Sequence, residues 1–144
     1  MNKTRKMDKE FISYKQALAL KELGFDEPCL RWFDERFGDD LQQHRTCSNS
    51  DLFMTEKDCA APLYQQAFRW FRDKHDITVS TLRNRKYKSI KRYEARIDDE
   101  EMFKKPKKNM PCMYFLDYCD TYEEVEQKAI EHLIQIINVR QKKT

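Results

Sequence analysis

The stretch Ala61–His75 reads APLYQQAFRWFRDKH, and its periodicity decides the fold. Leu63, Tyr64, Ala67, Phe68, Trp70 and Phe71 recur at helical spacing and make one wide apolar face. Gln65, Gln66, Arg69, Arg72 and Asp73 fall on the other side. Pro62 suits a first helical turn, where a missing N–H goes unnoticed. Large side chains crowded on one helix face need a broad apolar surface beneath them, most simply a β-sheet.

Toward the N-terminus, Ser13-Tyr14-Lys15-Gln16 reads as a capping box, with Ile12 and Ala17 at the staple positions. Ala17, Leu18, Leu20 and Leu23 supply the apolar side of a helix over Tyr14–Leu23. Gly24 is placed as its left-handed cap, with Phe25 folding back onto the last turn. Met1–Glu10 is a charged lead-in. Cys29–Phe33 and Leu41–Thr46 read as two strands of a hairpin around the acidic turn Asp34–Asp40. Cys47–Ser50 is polar and loop-like, and Asp51–Met54 is short enough only for a minor strand.

Toward the C-terminus, Ile77–Leu82 alternates in strand fashion, and Tyr87–Ile97 continues as strand after a basic turn at Arg83–Lys86. Asp98–Glu101 reads as an acidic turn and Lys104–Lys108 as an exposed basic loop. Met110–Cys119 (MPCMYFLDYC) is apolar on both alternating sets, which predicts an interior strand and not an edge. Thr121-Tyr122-Glu123-Glu124 is a second capping box. Val125, Ala129, Leu133, Ile136 and Ile137 form the buried stripe of a last helix, closed by Arg140, Lys142 and Lys143. The sum is an α+β fold: a small antiparallel sheet with about three helices packed mainly on one face. One domain over 1–144 is expected, with 1–10 a flexible lead-in.

Composition excludes several chemistries. The chain has 144 residues, a net charge of +3 and two glycines, Gly24 and Gly38. Phosphate-cradling loops, dinucleotide fingerprints and the GxSxG turn all need more glycine than that. The five cysteines, Cys29, Cys47, Cys59, Cys112 and Cys119, include no CxxC pair, and His44, His75 and His132 lie far apart. Free buried thiols in a reducing compartment are therefore expected, with no metal and no cofactor. The N-terminus lacks the apolar core of a secretory signal, and no run approaches the roughly 18 apolar residues of a membrane span. The expectation is a cytoplasmic protein without membrane contact.

Three segments carry a resemblance: KQALALKELGFDEPC at Lys15–Cys29, APLYQQAFRWFRDKH at Ala61–His75 and TYEEVEQKAIEHLIQII at Thr121–Ile137. As an ordered set they resemble small uncharacterised proteins encoded by tailed phages and mobile elements of Bacteroides-type gut bacteria. The resemblance implies no activity and no catalytic residue. It implies a setting, a bacterial host cell, in which phage proteins of this size often bind host proteins or host signalling molecules.

The strongest functional hint in the residues themselves is basic. Arg83 to Lys108 holds eleven basic residues against five acidic. Arginine forks suit phosphate, and Tyr87 could stack a base. A ligand site of Arg83, Arg85, Lys86, Tyr87 and Arg92 is expected; the plainer alternative is a solvated hairpin whose lysines deter edge pairing. Trp32, Trp70 and Tyr64 could line an apolar pocket, or simply fill a core. Asp34, Glu35, Asp39, Asp40 and Asp98–Glu101 could gather a divalent ion, but sit in turns. His44, Arg45, Cys47 and Ser50 hold fragments of a Cys–His pair that nothing orients. The reading that follows is a non-enzymatic binding module for a host protein or an anionic, nucleotide-type ligand, with a sequestering or counter-defence role. A nucleic-acid-binding accessory protein is the first alternative and a small metal-dependent hydrolase the second. Oligomeric state is not legible.

Overall fold

A computed structural model of the chain describes residues 7–43, 45–51, 53–84, 92–104, 113–115 and 119–142. The fold is α+β, and among the described residues every strand pair is antiparallel and the strands form two three-stranded sheets instead of one. The chain clusters into two compact units, Met1–Ala67 with Ile136–Thr144, and Phe68–Gln135.

The first unit opens on helix α1, Tyr14–Glu22. The expected capping box is present: the Gln16 N–H donates to the Ser13 hydroxyl at 3.3 Å, and the Ser13 N–H donates back to the Gln16 side-chain oxygen at 3.4 Å. Gly24 takes φ 95°, a region costly for any residue with a Cβ. That lets the Phe25 N–H reach the Leu20 carbonyl at 2.9 Å and the Gly24 N–H reach Lys21 at 3.0 Å. These two bonds close the helix as expected, and Phe25 is buried beside it.

The sheet beside α1 has β1 (Arg31–Phe33) at its centre, with β2 (Leu41–Gln42) and β3 (Cys59–Ala61) on its flanks. The hairpin of β1 and β2 was legible; β3 was not. Its sequence, Cys-Ala-Ala, has weak strand preference, and pairing with Arg31, Trp32 and Phe33 overrides it. Small side chains let α1 lie close against β3, and all three are fully buried. Of Asp51–Met54, the described residues Asp51, Phe53 and Met54 form no strand. Asp51 accepts the Ser48 N–H on its side chain and the Met54 N–H on its carbonyl, a local alternative to a ladder. Cys47, expected in a polar loop, forms a bridge with Cys29 and is buried.

Helix α2 covers Tyr64–His75 and crosses from the first unit into the second. Tyr64, Ala67, Phe68, Trp70 and Phe71 are buried, as the spacing predicts. Pro62 lies outside the helix, however. Its carbonyl accepts the Ile12 N–H and Leu63 bridges Phe11, so the chain stays extended until the Leu63 carbonyl takes the first helical bond, from Ala67.

In the second unit, β4 (Ile77–Asn84) pairs with β5 (Arg92–Asp99), and β5 with β6 (Met113–Phe115). Asp76, with φ 58°, turns the chain out of α2 and accepts the Glu100 N–H on its carbonyl. Asp98–Glu101 is therefore no turn. Asp98 and Asp99 finish β5, while Glu100 and Glu101 begin the single-turn helix α3 (Glu100–Lys104), where acids suit the dipole. Among the described residues β6 is an edge, contrary to expectation. Apolar residues on both sides of a strand speak for covered faces, not for hydrogen-bonded neighbours on both edges.

Helix α4 spans Tyr122–Lys142, with Val125, Ala129, Ile130, Leu133 and Ile137 buried. Thr121 caps it by accepting the Glu124 N–H at 3.2 Å. The Glu124 carboxylate reaches back to the Asp120 N–H instead of the Thr121 N–H, so the box closes one residue early. No described helix is long and apolar enough to cross a membrane.

Candidate functional site

Of the residues expected to hold a ligand, Arg83 and Arg92 are described; Arg85, Lys86 and Tyr87 lie outside the described residues. Arg83 stands opposite Tyr93, and Arg92 opposite Asn84. Directly opposed residues share a face and successive ones alternate, so Arg83 and Arg92 lie on opposite faces of the ribbon. The face of Arg83 runs on through Ala95, Ile97 and Ile77 into a buried interior. The face of Arg92 also carries Glu94, Arg96 and Asp98, and Arg96 is tied to Asp98 at 2.9 Å. Along this described ribbon the signs alternate, which offers a phosphate chain little net attraction.

The acids and thiols are also engaged. Asp34 is buried and holds Arg36 in a fork, with Nη2 donating to Oδ2 at 2.6 Å and Nε to Oδ1 at 3.0 Å. The Arg36 hydrogen bonds keep the Asp34 carboxyl below the usual carboxylate range. Among the described residues no group of three His, Cys, Asp or Glu is placed to hold a metal. Burial pushes the thiol of Cys47 up to about 11, and those of Cys29 and Cys59 up to about 12. A nucleophile needs the opposite shift. His44 and Cys112 lie outside the described residues.

A cleft of about 570 Å³ opens in the first unit instead, lined by Trp32, Asp34, Glu35, Arg36, Phe37, Gln42, Arg45, Phe53, Thr55 and Asp58. Its walls follow from local structure. Asp34 ends β1 and caps a 3-10 turn, Glu35–Phe37, by accepting the Arg36 N–H at 2.9 Å. Asp58 lies just before β3 and braces both sides of the cleft. One oxygen accepts the Glu35 N–H at 2.9 Å and the other the Thr55 N–H at 3.1 Å. The Lys21 ammonium bonds the backbone carbonyls of Thr55 and Asp58, each at 2.7 Å.

Most charges around the cleft are matched. Asp34 pairs with Arg36, and Glu35 with Lys57 at 3.0 Å. The buried Asp58 carboxylate has its two N–H donors, with the Lys21 ammonium on its own backbone carbonyl. Arg45 differs. Its guanidinium carbon lies 3.8 Å from the centre of the Phe53 ring, and among the described residues no carboxylate pairs with it. The Phe53 ring in turn meets Trp32 edge to face at 5.3 Å. Among the described residues no acceptor reaches the buried Trp32 indole Nε1. Phe37 is 54% exposed, with the Arg36 guanidinium 5.5 Å from its ring centre.

The cleft thus offers aromatic surface and, among the described residues, one guanidinium that no carboxylate pairs. Of the residues expected at an apolar pocket, Trp32 lines the cleft, while Trp70 belongs to the second unit and packs on Phe71 and His75. The sequence marks Arg45 only as a neighbour of Cys47, and no pattern in it marks Phe53 or Phe37. The only available signal was two aromatics and an arginine in a region with no periodicity. Compared with protein-family models, with curated proteins and with solved structures, the chain matches none.

Proposed function

We propose that the chain is a non-enzymatic binding module for a small anionic ligand, taken up in the Arg45 cleft of the first unit. One observation carries this reading: the Arg45 guanidinium carbon lies 3.8 Å from the Phe53 ring centre at the cleft, and among the described residues no carboxylate pairs with it. A guanidinium drawn to a π face keeps N–H donors for an anion. The carboxylates around the cleft support binding over catalysis. Asp34 is locked to Arg36 and Asp58 to two backbone N–H groups, so neither stands ready as a base. A volume of about 570 Å³ falls within the range of small-molecule sites. On the resemblance to phage and mobile-element proteins, the ligand is a metabolite of a bacterial cell and the role is to sequester it.

The test is titration calorimetry with a panel of anionic metabolites at constant ionic strength. At least one anion binds the wild type, and Arg45→Ala loses about tenfold or more in affinity, the scale of one charge-assisted contact. Anion binding that Arg45→Ala leaves intact removes the cleft from consideration.

A further inference from the structure

We infer that Cys29 and Cys47 are a redox pair, joined reversibly by a disulfide when the chain meets a small-molecule disulfide such as oxidised glutathione. Nothing in this pairing depends on what the cleft binds.

The backbone sets the distance. The Cys29 N–H donates to the Cys47 carbonyl at 2.8 Å, and the Cys47 N–H donates back to the Cys29 carbonyl at 3.0 Å. Residues that exchange both bonds stand directly opposite in an antiparallel pair, with Cα atoms about 5.5 Å apart. Disulfides most often span about 5.5–6 Å between Cα atoms. Opposed residues also send their side chains to the same face. Both side chains are buried there, and both thiols are free. Each sulfur rests on a carbonyl, Cys29 Sγ on Glu27 at 3.3 Å and Cys47 Sγ on Arg31 at 3.7 Å. Turning the sulfurs toward each other gives up only these weak thiol bonds. The Cβ atoms of an opposed pair are about 5 Å apart, wider than the roughly 3.5–4.5 Å of a relaxed disulfide. The bond therefore forms under strain, which makes it the easily reduced kind.

The fold also chooses the partner. Pairing runs from Phe33–Leu41 and Trp32–Gln42 on to Cys29–Cys47, along one edge of β1. Cys59 pairs along the other edge, opposite Phe33. Chain length alone chooses otherwise, since loop closure favours the nearer pairs Cys47–Cys59 and Cys112–Cys119.

While the bridge is closed, burial keeps both thiols protonated and unreactive. The bridge is an isolated one, and local opening exposes the pair. One cysteine then gives its proton to water, and its sulfur attacks oxidised glutathione. An S–S bond to the protein forms, and one glutathione thiolate leaves. The second cysteine, deprotonated likewise, attacks the protein-bound sulfur and releases the second glutathione thiolate. The two leaving thiolates take up the two protons. The cysteine pair has lost two electrons, and the glutathione disulfide has gained them. The ring so closed runs from Cys29 to Cys47 and contains most of the cleft wall, from Trp32 to Arg45.

The experiment equilibrates the full chain in mixtures of reduced and oxidised glutathione at pH 8, quenches with acid, and maps the disulfides by mass. Trypsin places Cys29, Cys47 and Cys59 in separate peptides. The folded chain loses the mass of two hydrogens and yields a linked Cys29–Cys47 peptide pair. Dithiothreitol restores the reduced mass. Cys59→Ala forms the same bond. The oxidised chain unfolds at higher urea than the reduced chain, as a closed loop requires. The same mixtures in urea give Cys47–Cys59 and Cys112–Cys119 ahead of Cys29–Cys47. Native thiols that stay reduced or carry only glutathione, or a native bond that joins another pair, overturn the redox pair. Cys29–Cys47 prevailing equally in urea overturns the role of the fold in choosing it.

Discussion

The Arg45 guanidinium carbon lies 3.8 Å from the centre of the Phe53 ring, although each residue sits on irregular backbone. The π face of the ring attracts the cation and holds it at this spot. Phe53→Leu keeps the apolar bulk and removes the π face. The exposed stack is worth about 0.5–1 kcal/mol. We therefore expect anion affinity to drop by about two- to fivefold, with a stability change under about 1 kcal/mol. Calorimetry and urea unfolding of the same sample separate the two. Unchanged affinity would mean that Arg45 orients itself without the ring.

Asp58 is the brace of the cleft. Its two oxygens bind N–H groups of Glu35 and Thr55, on either side of the opening. Hydrogen bonds to a charged group are worth about 1.5–3 kcal/mol, and the abandoned donors add to the loss when the group is deleted. Asp58→Ala should cost about 2–4 kcal/mol in urea unfolding at neutral pH. Asp58→Asn, which keeps one acceptor oxygen, should cost about half as much. Equal costs would show that the charge, not the pair of acceptors, holds the loop.

The contrast between Gly24 and Asp58 explains what could be read in the sequence. The Ser13 box and the Gly24 cap are made by residues within one turn of each other, so the sequence carries the whole interaction. The apolar stripes of α2 and α4 are equally local, since 3.6-residue periodicity is visible without a partner. β3 is the opposite case. Cys59-Ala60-Ala61 becomes a strand because Arg31–Phe33 and α1 need small residues there, and nothing in the tripeptide says so. The cleft has the same character. Trp32, Arg45 and Phe53 meet through a turn set by Asp51 and a brace set by Asp58, contacts between separate stretches of chain. The basic run at Arg83–Arg92 is conspicuous because it is contiguous, but its two described arginines, Arg83 and Arg92, lie on opposite faces of the ribbon.

That division gives a direct test of the hairpin. Arg83 and Arg92 lie on opposite faces, so they should act on any ligand independently. In a double-mutant cycle of Arg83→Ala and Arg92→Ala, read by binding of a nucleoside diphosphate or single-stranded oligonucleotide, the coupling energy should stay under about 0.5 kcal/mol. Whatever attraction the hairpin has should fade with salt, as expected for diffuse charge. Coupling of about 1 kcal/mol or more would mean that one ligand wraps the ribbon edge and touches both arginines.

The buried thiols set the alkaline limit of the fold. Burial raises Cys29 and Cys59 to about 12 and Cys47 to about 11, from an ordinary 9.0. The neutral thiol is the form that the folded state favours. Below pH 9 both states are protonated and the stabilisation is complete. Between pH 9 and about 11–12 the unfolded chain gives up protons that the folded chain keeps, so stability falls as pH rises. Each thiol contributes a slope approaching about 1.4 kcal/mol per pH unit in that window. Urea unfolding at intervals from pH 7 to 11 should show a flat region and then a steep decline. Cys59→Ala, at a fully buried site beside small neighbours, should make the decline shallower by one such slope. Peptide mapping after iodoacetamide at pH 8 provides the companion reading: Cys29, Cys47 and Cys59 should label slowly in the native protein and fast in urea. A decline unaltered by Cys59→Ala, together with rapid native labelling of Cys59, would place that thiol in contact with water.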